Sequence, residues 1–594
     1  MQTVIHRLLG RATRQFVDDV RTDPYLKYIL LGATLLCGFW FWHRIPNFAT
    51  RDEHSRLMDV LVAVGTVLGD PSLESLREGV AWSRVPFGAT FYLFGLAVLP
   101  VVIVAAIVGQ LDAFLHFRNP SWEFGFYESW AATPEWIWIA SLALIRLFNV
   151  ALAVGCVYVT YRIGAASRDR ATGRLAAILL SLTFGFLTIA HEGGEDMPAV
   201  FLLLTTVYCC LRYVQDGERT LFHAASALGG LAIAFKLTMA PVVVLIGLTH
   251  VLRAVEAPGN WRTELRRPRL LVRGASLGLL FIVLGFPTAL VGHVDMVVVR
   301  IFGGSTGRMV HATGPDAPIW WWFLRGYFSA LGLPLFVAAV GGVVASAAHL
   351  ARRPTERTES VLIFATLALF VLLFSLWHDF RVHHLLPTFP FIALLLAASL
   401  ERLRERRPPV ARPLVAVLLL TTAVYAGVGT AGFASMPRDQ ATDWLEENAA
   451  ENATMETYRR NMQDAAVPHS MDVSHAYGAD PDELEPCPEY IQLGYRDLLY
   501  LKPGTYYRTE PNRRAYVRDL LEGEYNYEIV AEFGERPPNF VPQRATPGSA
   551  VDLLRYGIVP QTDQYADEQE LAPNQYTIIL EQTGECDRSR RQPF

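Results

Sequence analysis

The apolar run YLKYILLGATLLCGFWFW (residues 25–42) leads almost directly into NFATRDEHSRLMD (residues 47–59). The first stretch suits a helix entering the ~30 Å hydrocarbon layer of a bilayer. The second gathers Arg51, Asp52, Glu53, His54 and Arg56 within two helical turns. A solvated loop is the bland reading of such charges. A carboxylate pair this close to hydrocarbon also admits a functional one, because ionisable groups near a membrane interior are costly and mark sites of chemistry.

Similar apolar runs recur as far as residue 433 of a 594-residue chain that is 52% hydrophobic and only 18% charged, which makes it a polytopic membrane protein. Spans are expected near 25–42, 137–161, 174–190, 197–214, 221–235, 237–253, 271–291, 319–349, 361–377, 384–400 and 413–433. The joints between them alternate. YRIGAASRDRATGR, LRYVQDGERT, RTELRRPRLLVRG, ARRPTERTES and ERLRERRPPVARP are dense in arginine. HEGGEDMP, the lone Lys236, the loop 292–318 and HDFRVHH are not. Short basic joints stay in the cytoplasm, so the second set and the tail after Gly432 are expected outside.

One run conflicts with a simple count. FYLFGLAVLPVVIVAAIVGQL (residues 91–111) is apolar enough to span, but counting it would put every arginine-rich joint outside. It is read instead as a re-entrant or interfacial element of a long first outer loop, 43–135, broken near Pro100. The basic, mildly amphipathic N-terminal segment reads as a cytoplasmic surface helix, not a cleavable signal. The chain thus divides into a membrane domain, 1–433, and a tail, 434–594, of mixed α/β character and large enough for a soluble outer domain. Cys487 and Cys586, the only cysteines of that tail, are expected to pair, two separate thiols being the alternative. Asn452, in NAT, is a formal glycosylation acceptor. Lysine occurs only at positions 27, 236 and 502, and the tail is rich in acids. That balance fits a high-salt exterior, although high-GC coding also removes lysine.

Several polar clusters share the outer side. Glu192, Glu195 and Asp196 crowd a short turn, where Asp196 could equally cap the next helix. Lys236 interrupts a long apolar stretch, either snorkelling to the surface or holding an anionic headgroup. His378, Asp379, Arg381, His383 and His384 match no strong metal-ligand spacing. Neither a G-x-x-x-x-G-K-[ST] loop nor a strand-linked G-x-G-x-x-G occurs, which argues against a nucleotide cofactor, and there is no nucleic-acid signature.

Together these features resemble the GT-C glycosyltransferases, in particular the branch that uses polyprenyl-phosphate sugars and includes protein O-mannosyltransferases and aminoarabinose transferases. An Asp-Glu pair opens the first outer loop of that branch. SRVPFGATFYLFGL looks like its Pro-rich stretch and apolar helix, and IRLFNVALAVGCVYVTYRIG is similar to its Arg-Leu helix. EDMPAVFLLL places the family's second acidic residue on Asp196, and GLAIAFKLTMAP places its lysine on Lys236. HHLLPTFPFIALLLA resembles its Arg-Tyr-x-x-Pro-x-x-Pro helix, with His383 where arginine is usual and Arg381 as the substitute. DQATDWLEENAAENATM looks like the start of the soluble domain that often follows.

The resemblance implies an all-α polytopic GT-C membrane domain of about 11 helices with a C-terminal α/β extracytoplasmic domain. It implies an inverting transfer of a sugar, mannose first, from dolichyl phosphate to an acceptor glycan or a hydroxyl on a glycoprotein at the outer membrane face, in an archaeal surface-glycoprotein setting. Asp52 and Glu53 would be the catalytic pair, with Asp52 as base and Glu53, like Asp196, orienting the acceptor or Asp52 or holding a divalent ion. Glu195, Asp196, Lys236, Arg381 and His383 would bind substrate, as would Arg308 and His311 of a lid loop, 292–318. If a divalent metal is used, Asp52 and Asp196 are the residues open to it. An oligosaccharyltransferase is the rival within the fold, although the tail lacks Trp-Trp-Asp-Tyr-Gly. A lipid flippase or transporter is the rival outside it, although no helical repeat of the kind such proteins carry is evident.

Overall fold

The protein's structure is a computed structural model that describes residues 2–82, 88–257, 260–310, 314–352, 358–450, 453–478, 487–502, 510–562 and 575–594. Surface helix α1 (Gln2–Thr22) leads into α2 (Leu26–Gly38). The first loop then holds α3 (Arg51–Gly69), α4 (Leu73–Ala81), α5 (Thr90–Ile107) and α6 (Tyr127–Ala132). A bundle follows of α7 (Glu135–Ser167), α8 (Arg170–Ser181), α9 (Phe184–Ala190), α10 (Asp196–Asp216), α11 (Arg219–Phe235), α12 (Val242–Glu256), α13 (Trp261–Leu265) and α14 (Pro268–Gly285). After α15 (Pro287–Leu290) and α16 (Val294–Val310) come α17 (Ile319–Arg352), α18 (Thr358–Ser375), α19 (Phe389–Arg406) and α20 (Pro408–Ala431).

Among the described residues nine helices are long and apolar enough to cross a membrane, or ten if α8 and α9, bent by 66° at their junction, make one span. All eleven stretches expected to span fall on apolar helices, but α2 and α11, of 13 and 17 residues, are shorter than a full span. The Arg-rich joints lie together. Arg168 reaches Glu405 at 2.6 Å, Arg11 reaches Glu218 at 3.0 Å, and Arg174 reaches Asp23 at 2.8 Å. Asp196 and Lys236 meet at the opposite end of the bundle.

Helix α5 passes the length and hydropathy test for a span, yet its two ends lie at that same opposite end. Ala89 N–H donates to Ala234 O at 3.0 Å and Tyr92 Oη to Leu284 O at 2.9 Å, both at the close of ascending helices. Beyond its other terminus, Trp136 Nε1, at the start of α7, donates to Gln110 Oε1 at 2.8 Å. A helix tied this way lies along the surface of the bundle. Leu96, Leu99, Ile103 and Ile107 stay exposed on one side of it. The expected break is absent: Pro100 sits inside a continuous helix, because the neighbouring turns keep their other bonds when one N–H is lost.

After α21 (Pro437–Asn448) the tail forms one five-stranded sheet in the order β2-β1-β3-β5-β4. Its strands are β1 (Thr454–Thr457), β2 (Asp472–His475), β3 (Tyr490–Gly494), β4 (Tyr527–Phe533) and β5 (Thr577–Gln582). β1 pairs parallel with β2 and β3, while β5 pairs antiparallel with β3 and β4. α22 (Tyr495–Leu498) and α23 (Pro511–Leu521) cover one face, and α24 (Ala550–Ile558) leaves the sheet for the bundle. Cys487 and Cys586 are bonded, closing a separation of 99 residues.

The sheet shares a core with the first loop: Met455, Met462, Val473 and Ile579 pack in one cluster with Phe48, Leu57, Phe114 and Trp138. Polar bonds fix the dock. Arg44 Nη2 donates to Ala465 O at 2.8 Å, Asn47 Nδ2 to Met462 O at 3.1 Å, and Tyr127 Oη to Met471 O at 2.7 Å. Single cysteines at Glu128, on α6, and Glu405, on α19, should therefore react with a membrane-impermeant maleimide from opposite sides of the membrane. Labelling of both from one side would contradict the arrangement.

Candidate active site

Among the charged residues from Arg51 to Arg56, only Arg51 and Asp52 face solvent; Glu53, His54 and Arg56 are buried. Thr50 caps α3, its hydroxyl accepting from Glu53 N–H at 3.2 Å, and Asp52 and Glu53 lie in the first turn where the helix dipole favours acids. The Glu53 side chain then turns inward. Arg146 of α7 donates to it from Nε and Nη2, both at 2.8 Å. Gly193 N–H and Ala49 N–H complete its shell at 2.8 Å each. The other terminal nitrogen of Arg146 donates to Phe41 O at 2.8 Å and His43 O at 2.5 Å.

Both side chains of this pair are 0% exposed. A Cβ at Gly193 would run into Ile145 and press on Glu53, so the first glycine of HEGGED is what lets the turn approach. Glu53 thus has no exposed surface, which fits the expected role of orienting Asp52 and not contact with a substrate. Burial pushes the His54 ring down to about 4, so it sits neutral with Nε2 2.8 Å from Gly125 O.

Asp52 points the other way, with 49% of its side chain exposed. Arg56, one turn on, lies 3.6 Å from it and grips Glu195 with two bonds of 2.7 and 2.9 Å. Next in sequence, Asp196 is ion-paired with Lys236, which sits at the break where α11 ends. Burial pushes the Asp52 carboxyl up, but Arg56, then His383, Lys236 and Arg381, outweigh it and hold the group well below the usual carboxylate range. The structure therefore gathers Asp52, Glu195, Asp196, Lys236, Arg381 and His383 at one end of the bundle.

The HDFRVHH cluster divides. His384 Nδ1 accepts from Arg381 N–H at 2.9 Å and Asp379 accepts from Gly314 N–H, while His383 faces Asp52. The Arg308 side chain and all of His311 lie outside the described residues. Their helix, α16, brings a different residue to the site. Arg300 is half-buried there, and burial, then the Arg56 charge, push its guanidinium down while Glu195 and Asp52 pull it up. The sequence reading passed over Arg300 for want of any motif, and over Arg56 although it stands one turn from Asp52.

The donor set does not fit a resident divalent ion. Asp52 and Glu195 face Arg56 and Asp196 faces Lys236, so protein cations already occupy the carboxylates. Among the described residues no group of three or more His, Cys, Asp or Glu converges on a metal position.

Residues 137–286 match the family described as dolichyl-phosphate-mannose-protein mannosyltransferase, which bears out the resemblance to glycosyltransferases over that segment. A putative mannosyltransferase, YycA, of Bacillus subtilis (strain 168) is 28% identical over 151 residues, which are 24% of this chain and 22% of that protein. The match thus spans about a fifth of the relative's length. Among solved structures, the apo oligosaccharyltransferase of Archaeoglobus fulgidus aligns with TM-score 0.47 and 13% identity, over 95% of this chain and 89% of that one. ArnT of Cupriavidus metallidurans, bound to undecaprenyl phosphate, aligns with TM-score 0.43 and 14% identity, over 71% and 73%.

Removing one partner of a buried ion pair leaves an uncompensated charge and costs roughly 3–5 kcal/mol. Arg146→Met should accordingly lower the thermal unfolding temperature, and the double variant with Glu53→Gln should recover part of the loss. A single variant as stable as the parent would show that the pair does not hold the site together.

Proposed function

We propose that the protein is an inverting glycosyltransferase. It moves a sugar, mannose in this reading, from a polyprenyl (dolichyl) phosphate to a hydroxyl of an acceptor glycan or glycoprotein at the outer face of the cell membrane. The observation that carries the proposal is Asp52, an ionised carboxylate open to a cleft at one end of a membrane bundle and faced by Lys236, Arg381 and His383. The family match over residues 137–286 supports the reaction class and the sugar. The arginine bias and acid-rich tail support an archaeal surface-glycoprotein setting.

On this reading Asp52 takes the acceptor's hydroxyl proton as that oxygen attacks the anomeric carbon. The new C–O bond forms while the bond from that carbon to the phosphate oxygen breaks. Its electron pair leaves on polyprenyl phosphate, and a single displacement inverts the centre. Charge developing on the phosphate needs cations placed in advance, a role that falls to Lys236, Arg381 and His383, with Arg300 entering from α16. Glu195 and Asp196 hold Arg56 and Lys236 in position and line the acceptor side. Glu53 is a positioning residue that sets the first turn of α3.

The same cations that receive the phosphate hold Asp52 ionised when the donor is absent. A bound phosphate offsets their charge, so Asp52 becomes a stronger base with the donor in place. The acid limb of kcat/KM for the donor, which reports the free enzyme, should lie below the ordinary carboxylate range, and that of kcat at higher pH. Coincident limbs would remove the coupling.

Asp52→Asn should cut turnover from dolichyl phosphate mannose by about 10²–10⁴ without lowering thermal stability. Lys236→Ala should raise the donor KM. Near-parental transfer by the Asn variant would overturn the assignment of Asp52.

A further inference from the structure

Helix α24 belongs by sequence to the outer domain, yet it packs on membrane helices. Its N-cap is tied to α17, Trp321 Nε1 donating to Ser549 O at 2.9 Å. Midway, Tyr425 Oη of α20 donates to Tyr556 O at 2.7 Å, and the Tyr556 ring lies 5.0 Å from the Arg325 guanidinium. Gly557 sits against Leu333, where α17 kinks at Gly332 with φ 69°, and a Cβ there would press on the Leu333 backbone. Beyond the helix, Thr562 Oγ1 donates to Gly429 O at 2.6 Å. Leu553 and Tyr556 are buried in the same core cluster as the membrane bundle.

These contacts set a depth. Tyr425 lies six residues before the end of α20 at Ala431, about 9 Å at 1.5 Å per residue. The carbonyl of Tyr556 is thus level with a point one and a half turns inside the outer end of a membrane-crossing helix. The opposite side of α24 carries Val551, Leu554 and Ile558 at helical spacing, followed by Val559, exposed by 77%, 45%, 63% and 50%. An apolar stripe of that kind is unusual on a soluble domain and marks a contact with lipid or protein. Asp552 lies to the side of the stripe, whereas Arg555 stands on the same exposed face, between Val551 and Val559. Asp552 accepts from Thr546 N–H at 2.8 Å, and Arg555 has a stem long enough to reach the headgroup level.

We infer that α24 is a membrane-inserted wedge whose Val551–Leu554–Ile558 stripe lies in the hydrocarbon of the outer leaflet, so that the C-terminal domain is anchored in the bilayer and not merely tethered above it. Continuity with the bundle surface identifies the occupant as lipid. Val424 and Val428, on either side of Tyr425 in α20, are 58% exposed, and Val337 of α17, one turn beyond Leu333, is 61% exposed. Those positions belong to membrane-crossing helices, and the stripe of α24 extends the apolar surface they begin. With only nine residues, α24 cannot cross; its amphipathic pattern fits a helix lying at the boundary between headgroups and acyl chains.

The test is site-directed spin labelling of the full chain in phospholipid nanodiscs, with nitroxides placed singly at Val551, Ile558 and, as a water-facing control in the same domain, Glu522. The parent chain, whose free cysteines are buried, sets the background. Collision with oxygen relative to a water-soluble nickel chelate should be several-fold higher at 551 and 558 than at 522. A ratio at 551 and 558 equal to that at 522 would place the stripe in water and overturn the inference. Low collision with both reagents, together with dipolar broadening between labels, would mean that a second copy covers the stripe, and would overturn it equally.

Discussion

Burying Glu53 against Arg146 is the constraint on which the functional end of the molecule depends. Taking a carboxylate and a guanidinium out of water costs several kcal/mol each, and the attraction offsets this only when the remaining lone pairs and N–H groups are also satisfied. Here they are. Arg146 bonds Glu53 twice, Gly193 and Ala49 donate to its two oxygens, and two carbonyls take what Arg146 has left. Those bonds draw three distant pieces of chain to one point: the exit from α2, the middle of α7, and the turn before α10. With Glu53 fixed inward, Asp52 lies about 100° around the helix and faces the cleft. The orientation of the exposed carboxylate follows from the immobility of the buried one.

The cleft alternates in charge. Arg56 bridges Asp52 and Glu195, and Lys236 holds Asp196. On the proposed reading an entering phosphate would compete with protein carboxylates for cations already in use, and each cation drawn away would leave a carboxylate less stabilised as an anion. Only Asp52 among those carboxylates is open enough to use the change. This asymmetry distinguishes Asp52 from Glu195 and Asp196, which are chemically its equals but are buried behind their partners.

Much of this was legible in the residues. Spans were readable because lipid-facing helices need long apolar runs, and the in-plane placement of α5 followed from arginine asymmetry although its own composition argued for crossing. Asp52, Asp196 and Lys236 each had a bland reading too, as a solvated loop, a helix cap and a snorkelling lysine, and it was their place in the resemblance that singled them out. The burial of Glu53 was not legible. Adjacent acids look alike in sequence, and only the arrival of Arg146 from 93 residues away tells them apart. Arg300 was hidden for a similar reason, standing in an apolar helix with no motif around it. The lipid-facing stripe of α24 was hidden because nine residues are too few to register as a hydrophobic segment within a polar tail.

On the proposed reading, the surface elements are where an acceptor from water and a donor from the membrane would meet. Helix α5 lies along the ends of α7, α11 and α14, and α24 lies against α17 and α20, so both keep apolar side chains exposed near the outer boundary of the bundle. Lys236 occupies the break at the end of α11, and Asp196 begins α10, at that same boundary. The donor's phosphate, on that reading, has its charge at this level and no deeper, because an anion is excluded from the bilayer interior while its tail is held there. On the proposed reading the donor therefore needs no lifting out of the membrane to reach the cations. The acceptor, on the same reading, comes from the side of α3 and the sheet, which share one hydrophobic core with the first loop.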